Sequence, residues 1–408
     1  MNAGIIIFIL TYIIIGIQNI PKIHINRTAG ALLGAVGMVF FGVLSVNEAY
    51  LAIDLDIILF VLGMMIIIAY MELSGFFEVI ERMILKRARS ASGLLFFLII
   101  SSGIASSFFM NDTLCLLFTP LVLRIVKKAN LNPVPYLIGL ATSSNIGSTM
   151  TVIGNPQNML IGLYSKIHFL EFWKILAPVS ISGLIINFLL IRFIYRKDIA
   201  NRTININFDD TVVTIQKRLF IASLIALILL VIFLCLGYSP QNVAIVLACF
   251  LILVGADKPR RALEEVDWPL LLFFSGLFIV MKGVEKSGIT NSIFNYVRMY
   301  LSDGKFSQIV NLSIGSTILS NIISNVPAVI LFSHFFTSLA NSRLAWLTLA
   351  MSSTLAGNLT IIGSVANIIV FESAKDEIKV GFFEYFRVGL PLTIITIFIG
   401  IVILYILV

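Results

Sequence analysis

Long apolar runs separated by short polar connections dominate this chain. They cover residues 4–18, 29–45, 57–73, 134–164, 172–195, 219–236, 241–254, 268–284, 345–371 and 386–407. About 20 apolar residues in a helix span a hydrocarbon core, so these runs predict about 10 transmembrane helices. The first run lacks a basic flank and a small-residue cleavage site, so it reads as a helix and not as a signal peptide. Two runs contain polar and helix-breaking residues: "SSNIGSTMTVIGNPQNMLIG" (143–162) and "SSTLAGNLTIIGSVANIIV" (352–370). In hydrocarbon a break in a helix is tolerated only where it lines a cavity or is buried in protein. Both runs therefore predict broken helices, the first stopping near Asn145 and restarting near Asn158.

Two more segments carry polar tips between short apolar arms: 94–126 around "FMNDTL" and 310–339 around "ISNVPA". Their ends must return to the same side of the membrane, so they read as re-entrant hairpins. The tips, Asn111-Asp112-Thr113 and Ser324-Asn325-Val326, are expected to meet the broken helices at the midplane. The stretches 76–89 and 289–303 are too charged to span and read as interfacial helices.

The two halves of the chain repeat. A shift of 213 residues lays Asp54 on Asp267, Phe60 on Phe273 and Glu72 on Glu285. A shift of 209 lays "TVIGNPQN" on "TIIGSVAN", and 214 lays "SSFFMNDTLCLLFTP" on "SNIISNVPAVILFSH". Five crossings per half is an odd number, so the second half enters the membrane upside down, as in many secondary transporters. Residues 1–195 form the first repeat (hairpin 94–126, broken helix 134–164). Residues 196–218 form a cytoplasmic linker. Residues 219–408 form the second, inverted repeat (hairpin 310–339, broken helix 345–371). The fold class is an all-α membrane protein built as an inverted-repeat transporter.

Composition agrees with this pattern. The chain is 59% hydrophobic and 12% charged, with mean hydropathy +1.03, so its solvent is a lipid bilayer. The net charge of +7 needs no nucleic acid to explain it. The predicted topology puts 21 of the 28 basic residues on one side, Arg27 among them, which makes that side cytoplasmic. Both termini then face outward from the inner (plasma) membrane.

The matched polar clusters supply the candidate substrate- and ion-binding residues. They are Asn111, Asp112, Thr113, Asn145, Gly147, Ser148, Thr151, Gly154, Asn155, Asn158, Ser324, Asn325, Asn358, Thr360, Gly363 and Asn367. "FMNDTLCLLFTP", "SSNIGSTMTVIGNPQN" and "AGNLTIIGSVAN" resemble the ion transporter superfamily, which holds arsenite permeases, citrate permeases and divalent anion/sodium symporters. The resemblance covers nearly the whole chain. It implies secondary active transport of a small polar or anionic substrate, with H⁺ or Na⁺ as coupling ion and no cofactor. The Asn111-Asp112 pair before an apolar run ending in Thr-Pro is similar to the arsenite permease pattern. The symporters carry Ser-Asn-Thr at both tips, and each tip here keeps part of that signature.

Asp112 is the acid predicted deepest in the membrane. An ionised carboxylate there costs about 2.5–3.5 kcal/mol on insertion scales, so Asp112 is expected to be neutralised or paired. It is the first proton-coupling candidate and His334 the second. Cys115 shares a helical face with Asp112, and a thiol suits As(III); packing is the ordinary role of Cys115, Cys235 and Cys249. Glu72 and Glu285 sit at helix ends and read as interfacial. No Lys or Arg is expected at the midplane, which disfavours a dianion. Proton-coupled arsenite or antimonite efflux is therefore the leading expectation. Cation-coupled citrate or dicarboxylate transport is the alternative. No nucleophile–base constellation or nucleotide loop suggests an enzyme. The oligomeric state is left open, a homodimer included.

Overall fold

The computed structural model describes residues 3–17, 27–199, 215–255, 259–288, 304–336, 339 and 341–408. The charged stretch predicted at 289–303 and most of the linker at 196–218 lie outside those residues. Seven described helices are long and apolar enough to cross a membrane: Leu55–Leu73, Ala91–Phe108, Phe169–Ile194, Lys217–Cys235, Trp268–Lys286, Lys305–Ile323 and Phe382–Leu407. Three shorter apolar helices accompany them: Ala3–Ile15, Arg27–Phe40 and Pro240–Val254. Large apolar side chains such as Phe40, Leu253 and Phe383 point outward. On a soluble protein that would be a liability, whereas in a bilayer it is the lipid face.

Local chemistry places the helix ends at matched positions of the two repeats. The Asp54 carboxylate caps Leu55–Leu73 by accepting from Ile57 N–H at 3.2 Å, and Asp267 caps Trp268–Lys286 by accepting from Leu270 N–H at 3.0 Å. Pro178 and Pro391 lie inside the two longest described helices, Phe169–Ile194 and Phe382–Leu407, at equivalent places.

Both predicted breaks are present, at slightly different residues. The first helix runs on to Ser148 (Val134–Ser148) and restarts as Pro156–Ser165. Proline at the first position fixes that restart, and the Asn155 side chain caps it through Asn158 N–H at 2.8 Å. The second helix, Ser342–Ala356, is followed by a 3₁₀ turn, Ile361–Gly363, and a restart at Val365–Ser373. The hairpins turn between Ala91–Phe108 and Asn111–Lys128, and between Lys305–Ile323 and Asn325–Phe336. Their first arms, of 18 and 19 residues, are about 27 and about 28.5 Å long, so length alone does not mark them as hairpins. Contact with the breaks does: Asn111 N–H donates to Gly154 O at 3.0 Å.

Each repeat ties its hairpin to its own broken helix by a serine pair. Ser102 Oγ meets Ser143 Oγ at 2.6 Å, and Ser316 Oγ meets Ser352 Oγ at 2.5 Å. The repeats then interlock. The arm Asn111–Lys128 packs on the restart Val365–Ser373 of the other half, and Asn325–Phe336 packs on Pro156–Ser165.

Candidate functional site

The two breaks leave backbone carbonyls without helical partners at membrane depth, and one asparagine in each repeat satisfies them. Asn158 Nδ2 donates to Ser148 O and Thr151 O, both at 3.0 Å. Its repeat partner, Asn367 Nδ2, donates to Gly357 O at 2.7 Å and Thr360 O at 3.0 Å. These are the same bonds made twice, one in each orientation. Gly154 and Gly363 stand at the breaks because the backbone passes too close for a side chain. A Cβ at Gly154 would lie 2.5 Å from Ser148 O, and one at Gly363 would lie 2.7 Å from Asn321 Oδ1.

From Asn367 the amide orientations follow in order. Its Nδ2 must face the carbonyls, so its Oδ1 faces the other repeat. There it accepts from Asn145 Nδ2 at 3.0 Å, which also donates to Asn358 Oδ1 at 3.0 Å. Asn145 Oδ1 is thereby turned the other way, where it accepts from Asn111 Nδ2 at 3.0 Å and Ser364 Oγ at 2.9 Å. The last link leaves Asn111 Oδ1 with no protein partner. In the second hairpin, Asn325 Oδ1 is likewise buried and unpartnered. The symmetric counterpart of the Asn145–Asn367 bond is weaker, Thr354 Oγ1 to Asn158 Oδ1 at 3.5 Å.

Both hairpin tips meet at a cavity of about 30 Å³. Asn111 and Asp112 line it from one repeat, and Ser324 and Asn325 from the other. Pro156, Gln157, Ser364 and Val365, from the two restarts, complete the ring with Phe273 and Arg27. Such a space holds a water-sized group or two. The Asp112 carboxylate accepts from Ala366 N–H in the first turn of Val365–Ser373, where the helix dipole favours negative charge. Ser324 holds φ of 77°, a backbone conformation that a residue with a side chain rarely adopts, at the tip itself.

No Lys or Arg was expected beside the hairpin tips, yet Arg27 stands there. It opens the helix Arg27–Phe40, lines the cavity, stacks over the Phe273 ring at 5.6 Å and acts electrostatically on Asp112. Ser364, Gln157, Phe273 and Tyr385, whose hydroxyl meets Asn367 Nδ2 at 2.9 Å, were not singled out either.

The remaining candidates divide by what they touch. Asn145, Asn158, Asn358 and Asn367 belong to the amide chain and the breaks. Gly147 lets its helix touch the Gly103 backbone. Ser148, Thr151, Asn155 and Thr360 tie the loops: Thr151 donates to Ser107 O, Asn155 Nδ2 donates to Ser148 Oγ at 2.8 Å, and Thr360 donates to Asn321 Oδ1 at 3.2 Å. Thr113 is not among the residues lining the cavity. Cys115 is buried and donates to Ser144 Oγ at 3.1 Å, also away from that lining. His334 lies on the helix Asn325–Phe336, and its side chain is outside the described residues.

Inverted repeats whose hairpins and broken helices converge on a polar cavity define a secondary transporter. A family model described as citrate transporter matches residues 6–356, and the chain belongs to that family, within the ion transporter superfamily. It is 31% identical to the silicon efflux transporter LSI3 of Oryza sativa subsp. japonica, over 94% of this chain and 93% of that one. It is 27% identical to a putative transporter arsB of Dictyostelium discoideum, over 97% and 91%. Among solved structures, the YdaH transporter of Alcanivorax borkumensis shares the fold, with a TM-score of 0.61 and 13% identity over 99% of this chain and 96% of that one.

Proposed function

We propose that this transporter moves a small neutral oxyacid bearing several hydroxyls, of the arsenious, antimonous or silicic acid type, in exchange for protons. The observation that carries the reading is the unpartnered acceptor Asn111 Oδ1, fixed by the bond its Nδ2 makes to Asn145, beside the cavity it lines with the Asn325 amide. Buried acceptors call for a ligand that donates hydrogen bonds, because an unmet acceptor costs about 1–3 kcal/mol. The hydroxyls of a neutral acid donate; a carboxylate offers only further acceptors. The relative named as a silicon efflux transporter supports the same class of solute. Asp112 is the proton carrier of this scheme, and the two repeats exchange conformations to give alternating access from an inner-membrane location with both termini outside.

Citrate or a dicarboxylate is the second reading. The Arg27 guanidinium beside the cavity favours it, as does the family description. The space as it stands holds a water-sized group or two, so either solute requires the hairpin tips to part, and citrate, the larger, requires the wider opening. Uptake of arsenite, silicic acid, citrate and succinate into proteoliposomes, under imposed pH or Na⁺ gradients, separates the two. The proposal expects the metalloid acids to follow the pH gradient. Citrate flux without metalloid flux would reject it.

A further inference from the structure

The central cavity brings several oxygen acceptors together, which poses a problem of selectivity. Asn111 Oδ1, Asn325 Oδ1 and the Asp112 carboxylate are all at hand. Carbonyl and carboxylate oxygens at the meeting point of broken helices are ordinary ligands for Na⁺. By oxygen chemistry alone, this cavity would take a monovalent cation as readily as the hydroxyls of a neutral acid.

Arg27 alters that balance. Its guanidinium lines the same cavity, and its position is set by the Phe273 face at 5.6 Å. The charges that reach Asp112 are Arg27, which attracts it, and Asp267, which repels it. A guanidinium inside a membrane is costly and marks a functional path. It is also a cation that does not lose its charge. A second cation entering the cavity would meet this fixed positive charge across a short, poorly screened distance.

We infer that Arg27 is a specificity-determining residue that excludes Na⁺ and other monovalent cations from the acceptor-lined cavity, leaving neutral hydroxyl donors and protons as its ligands. The inference rests on the cavity being the transport site and deepens that reading.

The test is cation-specific stabilisation of the purified full chain in detergent. Melting is followed as NaCl replaces choline chloride at constant ionic strength, since a ligand that binds the folded state raises the melting temperature saturably. Wild type is expected to show no Na⁺-specific shift. Arg27→Gln, which removes the charge, is expected to gain a saturable one, tightening Na⁺ by about tenfold or more. Arg27→Lys keeps the charge and should behave as wild type. Adding Asp112→Asn to Arg27→Gln should abolish the gained shift, which a merely structural role for Arg27 would not do. A saturable Na⁺ shift in wild type overturns the inference, and that measurement needs no variant to fold. A folded Arg27→Gln without Na⁺ response also overturns it. Solute flux is read separately: if wild type carries no metalloid acid while Arg27→Gln gains Na⁺, the proposed substrate fails and cation exclusion stands.

Discussion

Asn145 is the residue whose loss the structure makes most expensive. Its side chain accepts from Asn111 and Ser364 and donates to Asn358 and Asn367, so three of its four partners lie in the opposite repeat. Asn145→Leu keeps roughly the volume and removes all four bonds. Hydrogen bonds between membrane helices contribute about 0.6 kcal/mol each on average, which gives about 2.4 kcal/mol for four. Counted instead as four buried groups left unpaired, Asn358 Oδ1, Asn367 Oδ1, Ser364 Oγ and Asn111 Nδ2, at about 1 kcal/mol each, the loss is about 4 kcal/mol. The symmetric change, Thr354→Val, removes contacts of 3.4–3.5 Å, at the outer limit of hydrogen bonding. It should cost under about 1 kcal/mol. Unfolding in mixed micelles by added SDS measures both. The buried Trp346, packed edge-on against Phe336 at 4.8 Å, reports the second repeat. Asn145→Leu within about 0.5 kcal/mol of wild type, or Thr354→Val costing as much as Asn145→Leu, would refute the amide-chain argument.

Four further outcomes follow from the same geometry. Asn325→Leu should abolish solute flux with little loss of melting temperature, because Asn325 lines the cavity and its amide oxygen makes no bond to the protein; Asn111→Leu should abolish flux and lose the one bond to Asn145; Asn158→Leu and Asn367→Leu should melt earlier still, since each strands two backbone carbonyls. Gly147→Ala places a Cβ 2.0 Å from Gly103 O and should cost about 3 kcal/mol or prevent folding, while Gly315→Ala, with open space around it, should be silent in the same SDS titration. Ser324→Gly should leave stability unchanged or raise it by about 1 kcal/mol by relieving the positive φ. Asp112→Asn should remove pH-driven net uptake in proteoliposomes yet spare solute exchange, and full pH-driven uptake would pass the proton-carrier role to His334.

The sequence made the architecture legible because a bilayer punishes every unpaired backbone group. Polar interruptions in "SNIGSTMTVIGNPQN" and "AGNLTIIGSVAN" therefore had few explanations. The matched shifts of the two halves paired Asn158 with Asn367 before any contact was known, and these two side chains make equivalent bonds in the structure. The direction of the amides was not legible. It is set by a sequence of bonds from Thr360 O through Asn367 and Asn145 to Asn111, and it crosses between repeats that no local pattern connects. Arg27 was hidden for a different reason. Counting charges assigns sides by sequence neighbourhood, and a long arginine can reach inward from a helix end that the count places outside the bilayer. The charge count thus concealed a cation that, among the described residues, lines the cavity itself.

The central claim is that Asn111 and Asn325 hold a hydroxyl-donating neutral acid. Equilibrium exchange of arsenite in proteoliposomes, with equal pH on both sides and no Na⁺, tests it without any coupling step. The account predicts saturable exchange by wild type, blocked in Asn111→Leu and Asn325→Leu and indifferent to added citrate. Absent arsenite exchange alongside citrate exchange, or arsenite exchange undiminished in both variants, would contradict it.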